Sequence, residues 1–446
     1  MAGAAAPAGG DGAVDADVCV VGAGPGGLAL ALMLLRSGMR VALAEKSTAL
    51  RREFHGEILQ PGGQRILDEL GVLGPARARG ACVLERFQVR ERGRALLDVD
   101  YRRLGGPYDH LLALPQPHLL AELVSACRRL PGFTFLEGHR ITALVERRPG
   151  GPYGGAVLRG PGGRAVTVRA PVVVGADGRF SKTRALAGIG AGRSESFAQD
   201  VVWFSLHAPG RASGAVRVHR AGGSAVLVHD AYPDRLRIGW ALPHGGWSAA
   251  AARGIDVIRD ELAGVLPDVA DLLREQLTSV ARLSLLDVFA AHATEWVREG
   301  LVLIGDAAHT HGPIGAQGIN LALQDAAVLH PLLVRGLPAA AYASERAAVA
   351  RRVHRMQVVQ ARAMLGPAAG PVASSLRAAA AALVMRTPIG AGLTRTIARG
   401  PAAVGGGAET CTGGGGRGRL AVCFKPLTLP ACVIVSAVGG RRGMRH

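Results

Sequence analysis

The stretch Asp17-Val-Cys-Val-Val-Gly22-Ala-Gly24-Pro-Gly26-Gly27-Leu constrains the fold more than any other part of the chain. An apolar run ending at Gly22 reads as a buried strand. A helical pattern follows from Gly26 to Arg36 and stops at Ser37-Gly38, a C-cap sequence. A second short strand, Val41 to Ala44, ends at Glu45 and Lys46. Glycines at this spacing between strand and helix predict a dinucleotide-binding unit. Gly22 permits the tight turn, Gly24 lets backbone approach a pyrophosphate, and Gly27 lets helix and strand pack closely. The helix N-terminus supplies unpaired N–H groups and a positive dipole end for phosphates. Glu45 is placed to accept from a ribose hydroxyl.

Two later stretches repeat the pattern of a short apolar strand running into a turn with one carboxylate. The first is Val172-Val-Val-Gly175-Ala-Asp177-Gly178, with Ser181 placed to cap the next helix. The second is Leu301-Val-Leu-Ile-Gly305-Asp306. It is followed by a Gly/Pro loop through Pro313 and Gly315, and by a helix starting at Gly318 and Asn320. The loop after Glu45 carries Arg51 and Arg52, either of which is placed to neutralise a pyrophosphate. His309-x-His311 has metal-like spacing but sits in the Gly/Pro loop, and no metal site is assigned.

The bulk numbers exclude more than they establish. The 446 residues are 49% hydrophobic, enough for a large core. A formal net charge of +18 raises nucleic acid as a partner. Lysine occurs only at Lys46, Lys182 and Lys425, however, and the arginines are dispersed without interleaved aromatics. We therefore expect no nucleic-acid surface, and leave open contact with anionic cofactors or a membrane surface. None of the six cysteines forms a C-x-x-C pair, so a disulfide or zinc framework is not expected and a reducing, cytoplasmic compartment fits. No long uncharged apolar run suggests a spanning helix.

The fold class expected is α/β, with an inserted α+β region containing an antiparallel sheet. Residues 1–14 read as a disordered lead. Segments 15–82, 115–190 and 291–365 read as the nucleotide-binding domain, and 83–114 with 191–290 as a substrate domain. Within the latter, Phe87, Val89, Leu97 and Val99 alternate with charged residues, a strand signature. Gly150 to Gly163 reads as a hairpin or disordered tip, 366–404 as broken C-terminal helices, and 405–446 as a low-complexity tail. Tyr101, Tyr108, His110, His207, His229 and Tyr232 fall in the substrate region, and none stands out as a base.

Taken together, the three turns in this order closely resemble the class A flavoprotein monooxygenases, the para-hydroxybenzoate hydroxylase family, over roughly 15–400. The resemblance implies an FAD-binding Rossmann-like domain of the GR2 type. The first motif would hold the ADP part of FAD. Asp177 and Gly178 look like the motif serving FAD and the nicotinamide donor, and Asp306 like the acid on the flavin's ribose. The loop from Pro313 through Gly315 and Gly318 to Asn320 looks like the wall around the isoalloxazine. Gln116 resembles the polar residue that steadies the flavin from a crossover helix. His55 stands where many relatives carry an arginine, so that contact passes to Arg51 or Arg52. Gly56-Glu57-x-x-x-Pro61-x-Gly63 also looks like squalene epoxidases. The implied activity is hydroxylation or epoxidation of a hydrophobic or aromatic molecule through a flavin C4a-hydroperoxide, with O2 and NADPH or NADH. A reductase of the geranylgeranyl reductase type and a flavin-binding protein without turnover are the alternatives.

Overall fold

The computed structural model describes residues 12–48, 56–91, 93–194, 197, 199–221, 224–365, 392, 394, 395 and 398. Arg51, Arg52, His55 and almost all of the C-terminal stretch from 366 onward lie outside this set. A six-stranded sheet forms the base of the cofactor-type fold. Its order is Val297–Arg298, Leu301–Leu303, Val172–Gly175, Val18–Val21, Val41–Glu45 and Phe133–Glu137. The last five are parallel, and only the edge strand Val297–Arg298 runs antiparallel. The register pairs Val21 with both Gly175 and Ala44, and Gly175 with Leu303. Three strands therefore end at one level, and the three turns expected from the sequence start side by side.

Helix Pro25–Arg36 is apolar almost all round, with Leu28, Leu30, Leu32 and Leu34 fully buried. A helix of that kind needs cover on several sides. It packs on the sheet and against helices Gly318–Val334 and Gln116–Arg128. Gly38 closes it at φ +81°, in the left-handed region glycine adopts without a Cβ penalty.

A second, seven-stranded sheet follows the order Ser284–Leu286, Gln199–His207, Arg235–Pro243, Ser224–Ala231, Ala215–Ala221, Arg86–Glu91 and Arg94–Asp100. All neighbours are antiparallel except Ala215–Ala221 with Arg86–Glu91. Helices Ile255–Val265 and Ala270–Gln276 cover one face through a core that includes Phe204, Ile238 and Trp240. A small three-stranded sheet of Ile58–Leu59, Leu111–Ala113 and Cys82–Leu84 draws on chain from both sides of residue 83.

One expectation is corrected and another is decided between its alternatives. The lead is not irregular through residue 14, because Ala13–Asp15 pairs in parallel with Thr167–Arg169. Of the two readings of Gly150–Gly163 the hairpin holds, because Tyr153–Arg159 pairs antiparallel with both Arg140–Glu146 and Ala165–Arg169. Gly155 is there for close approach, since a Cβ would lie 2.2 Å from the Val168 carbonyl oxygen. Among the described residues, no helix is long and apolar enough to cross a membrane.

Candidate functional site

The three turns wall one cleft of about 460 Å³, within the usual range of roughly 300–1,000 Å³ for ligand sites. Gly24, Gly26 and Gly27 line it from the first turn, Gly178 and Arg179 from the second, and Asp306 from the third. Gln116, Pro313, Gly315 and Gly318 also face it. The glycines are there because the backbones touch. A Cβ on Gly27 would sit 2.1 Å from the Gly22 carbonyl oxygen, and one on Gly22 would sit 2.4 Å from that of Ala176. A Cβ on Gly26 would meet Ala322, 3.0 Å away on the helix that follows the third turn. At Gly178 and Gly318, by contrast, a Cβ would meet no protein atom within 4 Å. Helices Pro25–Arg36 and Gly318–Val334 both begin at this cleft and direct their positive dipole ends at it.

The remaining predicted residues lie behind this surface. Glu45 is buried, and its carboxylate accepts from the Ala23 N–H at 2.8 Å and the Ser47 N–H at 3.1 Å. Asp177 accepts from the Ser181 hydroxyl, and from the Thr183 N–H and hydroxyl at 2.9 and 3.0 Å. Ser181 caps the helix by accepting from the Arg184 N–H at 3.0 Å, as expected. Asn320 donates to the Ala316 carbonyl at 2.7 Å and accepts from the Gln60 N–H at 3.1 Å. Glu45, Asp177 and Asn320 thus hold the turns in place. Lys46 is exposed.

A buried triad supports the third turn. Asp325 accepts from the Gly305 N–H at 2.8 Å, His309 Nε2 at 2.6 Å and Arg346 Nε at 2.7 Å. Burial alone would raise its carboxyl. The hydrogen bonds from His309 and Arg346, with the Arg346 charge, outweigh that and hold it at about 2. Gln60 Nε2 donates to the Gly315 carbonyl at 2.8 Å and Gln357 Nε2 to that of Ile314 at 2.7 Å, so the Pro313–Gly318 loop is clamped from two sides.

The seven-stranded sheet forms the other wall. Side chains alternate across its two faces. Val202, Phe204, Val226, Val228 and Ile238 enter the helix-covered core, while Val201, Trp203, Leu227 and Ala241 face the cleft. On that apolar face His229 and Arg237 stand opposite each other in the register. Glu57 reaches both, with Oε1 3.9 Å from His229 Nε2 and Oε2 3.9 Å from Arg237 Nη1. His229 Nδ1 lies 2.9 Å from the Asp230 carbonyl, which can only accept, so Nδ1 carries the proton and Nε2 a lone pair. Burial lowers the His229 pKa and keeps the ring neutral. Tyr101 also lines the cleft, its hydroxyl 3.4 Å from Gln60 Oε1.

Of the six substrate-region candidates, only His229 and Tyr101 face the cleft. Tyr108 donates to Asp68, Tyr232 packs on His118, and His207 is exposed. His110 is buried beside Asp109. Arg179 and Arg237 were not singled out by motif, and Glu57 was quoted only as part of the Gly56–Gly63 pattern. For His229 and Arg237 the available signal was polar residues on the otherwise apolar face of a strand.

The chain can now be set beside known proteins. A family profile described as FAD binding domain matches residues 15–357. A 6-methylpretetramide 4-monooxygenase of Streptomyces rimosus is 50% identical over 86% of this chain and 92% of its own length. A kynurenine 3-monooxygenase of Salinispora arenicola is 31% identical over 74% of this chain and 76% of its own length. The chain belongs to the class A FAD-dependent monooxygenases. It is an FAD-dependent oxidoreductase, and the reductase alternative is set aside. The fold of p-nitrophenol 4-monooxygenase PnpA from Pseudomonas putida matches it with a TM-score of 0.71 at 20% identity, over 87% of this chain and 99% of that one. The residues present fit FAD on their own evidence. The cleft holds open-faced glycines at two turns and two helix N-termini. It also holds the buried Gln116 Oε1, which has no hydrogen-bond partner within the protein.

Proposed function

We propose that this monooxygenase hydroxylates a polycyclic aromatic substrate of the 6-methylpretetramide kind, and that Glu57, His229 and Arg237 hold its polar edge. The observation that carries the reading is the cross-strand His229–Arg237 pair, with Glu57 above it, on an otherwise apolar sheet face. The half-buried Glu57 carboxylate stands 3.9 Å from both partners, beyond hydrogen-bond reach, and a ligand that engages it offsets part of its desolvation. Glu57 Oε1 has no hydrogen-bond partner, and the His229 Nε2 lone pair faces it. A hydroxyl that donates to His229 Nε2 satisfies that acceptor, and a second donor on the same polar edge satisfies Glu57 Oε1. His229 then takes the phenolic proton, and the Arg237 guanidinium holds the resulting anion. A phenolate is more electron-rich than its phenol, which favours attack on an electrophilic oxygen. The apolar strands orient the rings and exclude water.

FAD, reduced by NADH or NADPH, supplies the activated oxygen when bound. Gly22, Gly24, Gly26, Gly27, Glu45 and Lys46 are read as the ADP side of its site, with Arg52 near the pyrophosphate. Gln116, Asp177, Asp306, Pro313, Gly315, Gly318 and Asn320 are read as the ribityl and flavin side. On this reading segments 15–82, 115–190 and 291–365 carry the cofactor, and 83–114 with 191–290 carry the substrate. The cytoplasm, which keeps nicotinamide donors available, is the compartment it suits.

The test is NADPH- or NADH-dependent turnover of the FAD-loaded enzyme with 6-methylpretetramide, p-nitrophenol and kynurenine, read by product mass. Gain of one oxygen atom by the polycycle is expected. Oxygenation of the two small phenyl compounds alone overturns the substrate assignment.

A further inference from the structure

One cluster on the Pro313 side of the cleft is used neither by the fold alone nor by the substrate reading. His309 Nε2 donates to Asp325 at 2.6 Å, because an ionised carboxylate can only accept. Its Nδ1 lies 3.0 Å from Nε2 of His311. In the neutral pair His309 Nδ1 is then the acceptor and His311 Nε2 the donor. The polarity set at Asp325 leaves His311 Nδ1 as a bare lone pair. That atom is buried and has no hydrogen-bond partner, and His311 lines the cleft. Trp296 stacks on His309 at 4.8 Å and 27°, which fixes the ring and shuts out water.

We propose that Asp325, His309 and His311 form a proton relay that opens into the FAD cleft at His311 Nδ1. A proton accepted at Nδ1 releases the one on Nε2 to His309 Nδ1, and His309 becomes an imidazolium paired with Asp325. Reversal returns the proton to the cleft. No bond other than N–H forms or breaks. The demand for such a store follows from the stoichiometry of any monooxygenase. NAD(P)H, O2, substrate and one proton give hydroxylated product, water and NAD(P)+, so each turnover consumes a proton inside a site built to exclude water.

The groups facing His311 support this polarity. His309 lies on the short strand His309–Thr310 just before it, Asp325 on the helix Gly318–Val334, His292 on the paired strand Ala290–Ala293, and His354 on the helix Ala340–Leu365. Arg346 pairs with Asp325, and Arg351 lies near His292. Burial keeps His311 well below the ordinary histidine value, so it rests neutral and passes an incoming proton on rather than holding it. The Asp325 carboxylate, 2.6 Å from His309 Nε2, is the counter-charge for a proton passed inward.

The test has two readouts. The first is 15N NMR of the FAD-loaded wild-type chain with labelled histidine. Among its 14 histidines, a hydrogen-bond coupling between two imidazoles is expected, with one of them protonated at Nε2 and neutral from pH 8 to pH 5. Absence of that coupling, or a His311 proton on Nδ1, overturns the relay whether or not a substrate is known. The second is His311→Gln, whose amide can still donate to His309 but cannot pass a proton. We expect turnover to fall by about 100-fold with FAD content and KM unchanged, and added imidazole to restore part of it. Wild-type turnover with an unchanged pH profile in that variant overturns the relay even if the substrate assignment stands.

Discussion

Gly27→Ala tests how the cofactor turn works. The added Cβ would lie 2.1 Å from the Gly22 carbonyl oxygen and 3.1 Å from the Ala176 Cβ. Both neighbours belong to backbone or to a short side chain, so neither can swing away. Reaching ordinary contact requires a separation of roughly 1.3 Å more between helix Pro25–Arg36 and the turn. Overpacking of this kind costs about 1–3 kcal/mol of stability. The larger effect falls on the ligand. The helix N–H groups at the N-terminus shift by a comparable distance, and losing even one charge-assisted hydrogen bond costs about 1.5–3 kcal/mol. We expect the FAD Kd to rise by about 100-fold, equivalent to about 2.7 kcal/mol. The assay is titration of apoprotein with FAD by flavin fluorescence, together with melting temperatures with and without FAD. Gly38→Ala is the control. It also introduces a Cβ at positive φ, but nothing lies within 4 Å of it. It should lower both melting temperatures by a similar amount, at about 1 kcal/mol, and leave the Kd alone. A Gly27→Ala protein that binds FAD as tightly as wild type would refute the reasoning, because the turn would then have room the distances deny it.

Arg237→Met should lower kcat/KM for a phenolic polycycle by about 10- to 100-fold, with FAD affinity unchanged, since it removes a charged partner worth about 1.5–3 kcal/mol; an unaltered kcat/KM would remove Arg237 from the substrate site. Arg346→Met leaves Asp325 buried with one cation fewer and should cost about 3–5 kcal/mol, seen as a lower urea midpoint. Asn320→Ala removes the link between Gln60 and Ala316 and should cost about 1–3 kcal/mol while speeding FAD release, measured by dilution fluorescence. Burial lowers His219 and His292 to about 4, and also lowers His229 and His311. The unfolded chain therefore takes up protons first as pH falls. The stability these groups contribute is complete above pH 6.5 and declines below it, so the melting temperature should drop between pH 6.5 and pH 5. A flat profile there would show that these rings are not held neutral.

The cofactor turns were legible in the sequence because each is local. In the first two a strand, a glycine turn and a helix start lie within about ten residues, and Gly22 and Gly27 mark positions where no Cβ fits. The same locality left Gly150–Gly163 open between a hairpin and a disordered tip, and the pairing shows the hairpin, with Gly155 serving close strand approach. Glu45 and Asp177 were read by type as ligand contacts, and the structure adds that each carboxylate also accepts from a backbone N–H of its own turn region.

The substrate wall could not be read in this way. His229 and Arg237 look like any polar residues of a sheet until the register shows them opposite one another and the helix-covered face shows which side is left. Glu57 joins them from a position far away in sequence. His311 likewise gained a direction only when Asp325, on the next helix, set the polarity of His309. Spacing along the chain dictates where the backbone must turn and where a phosphate can approach. Which side chains share one small volume depends on register and helix packing, since proton transfer and charge pairing act over a few ångströms of space that sequence distance does not measure.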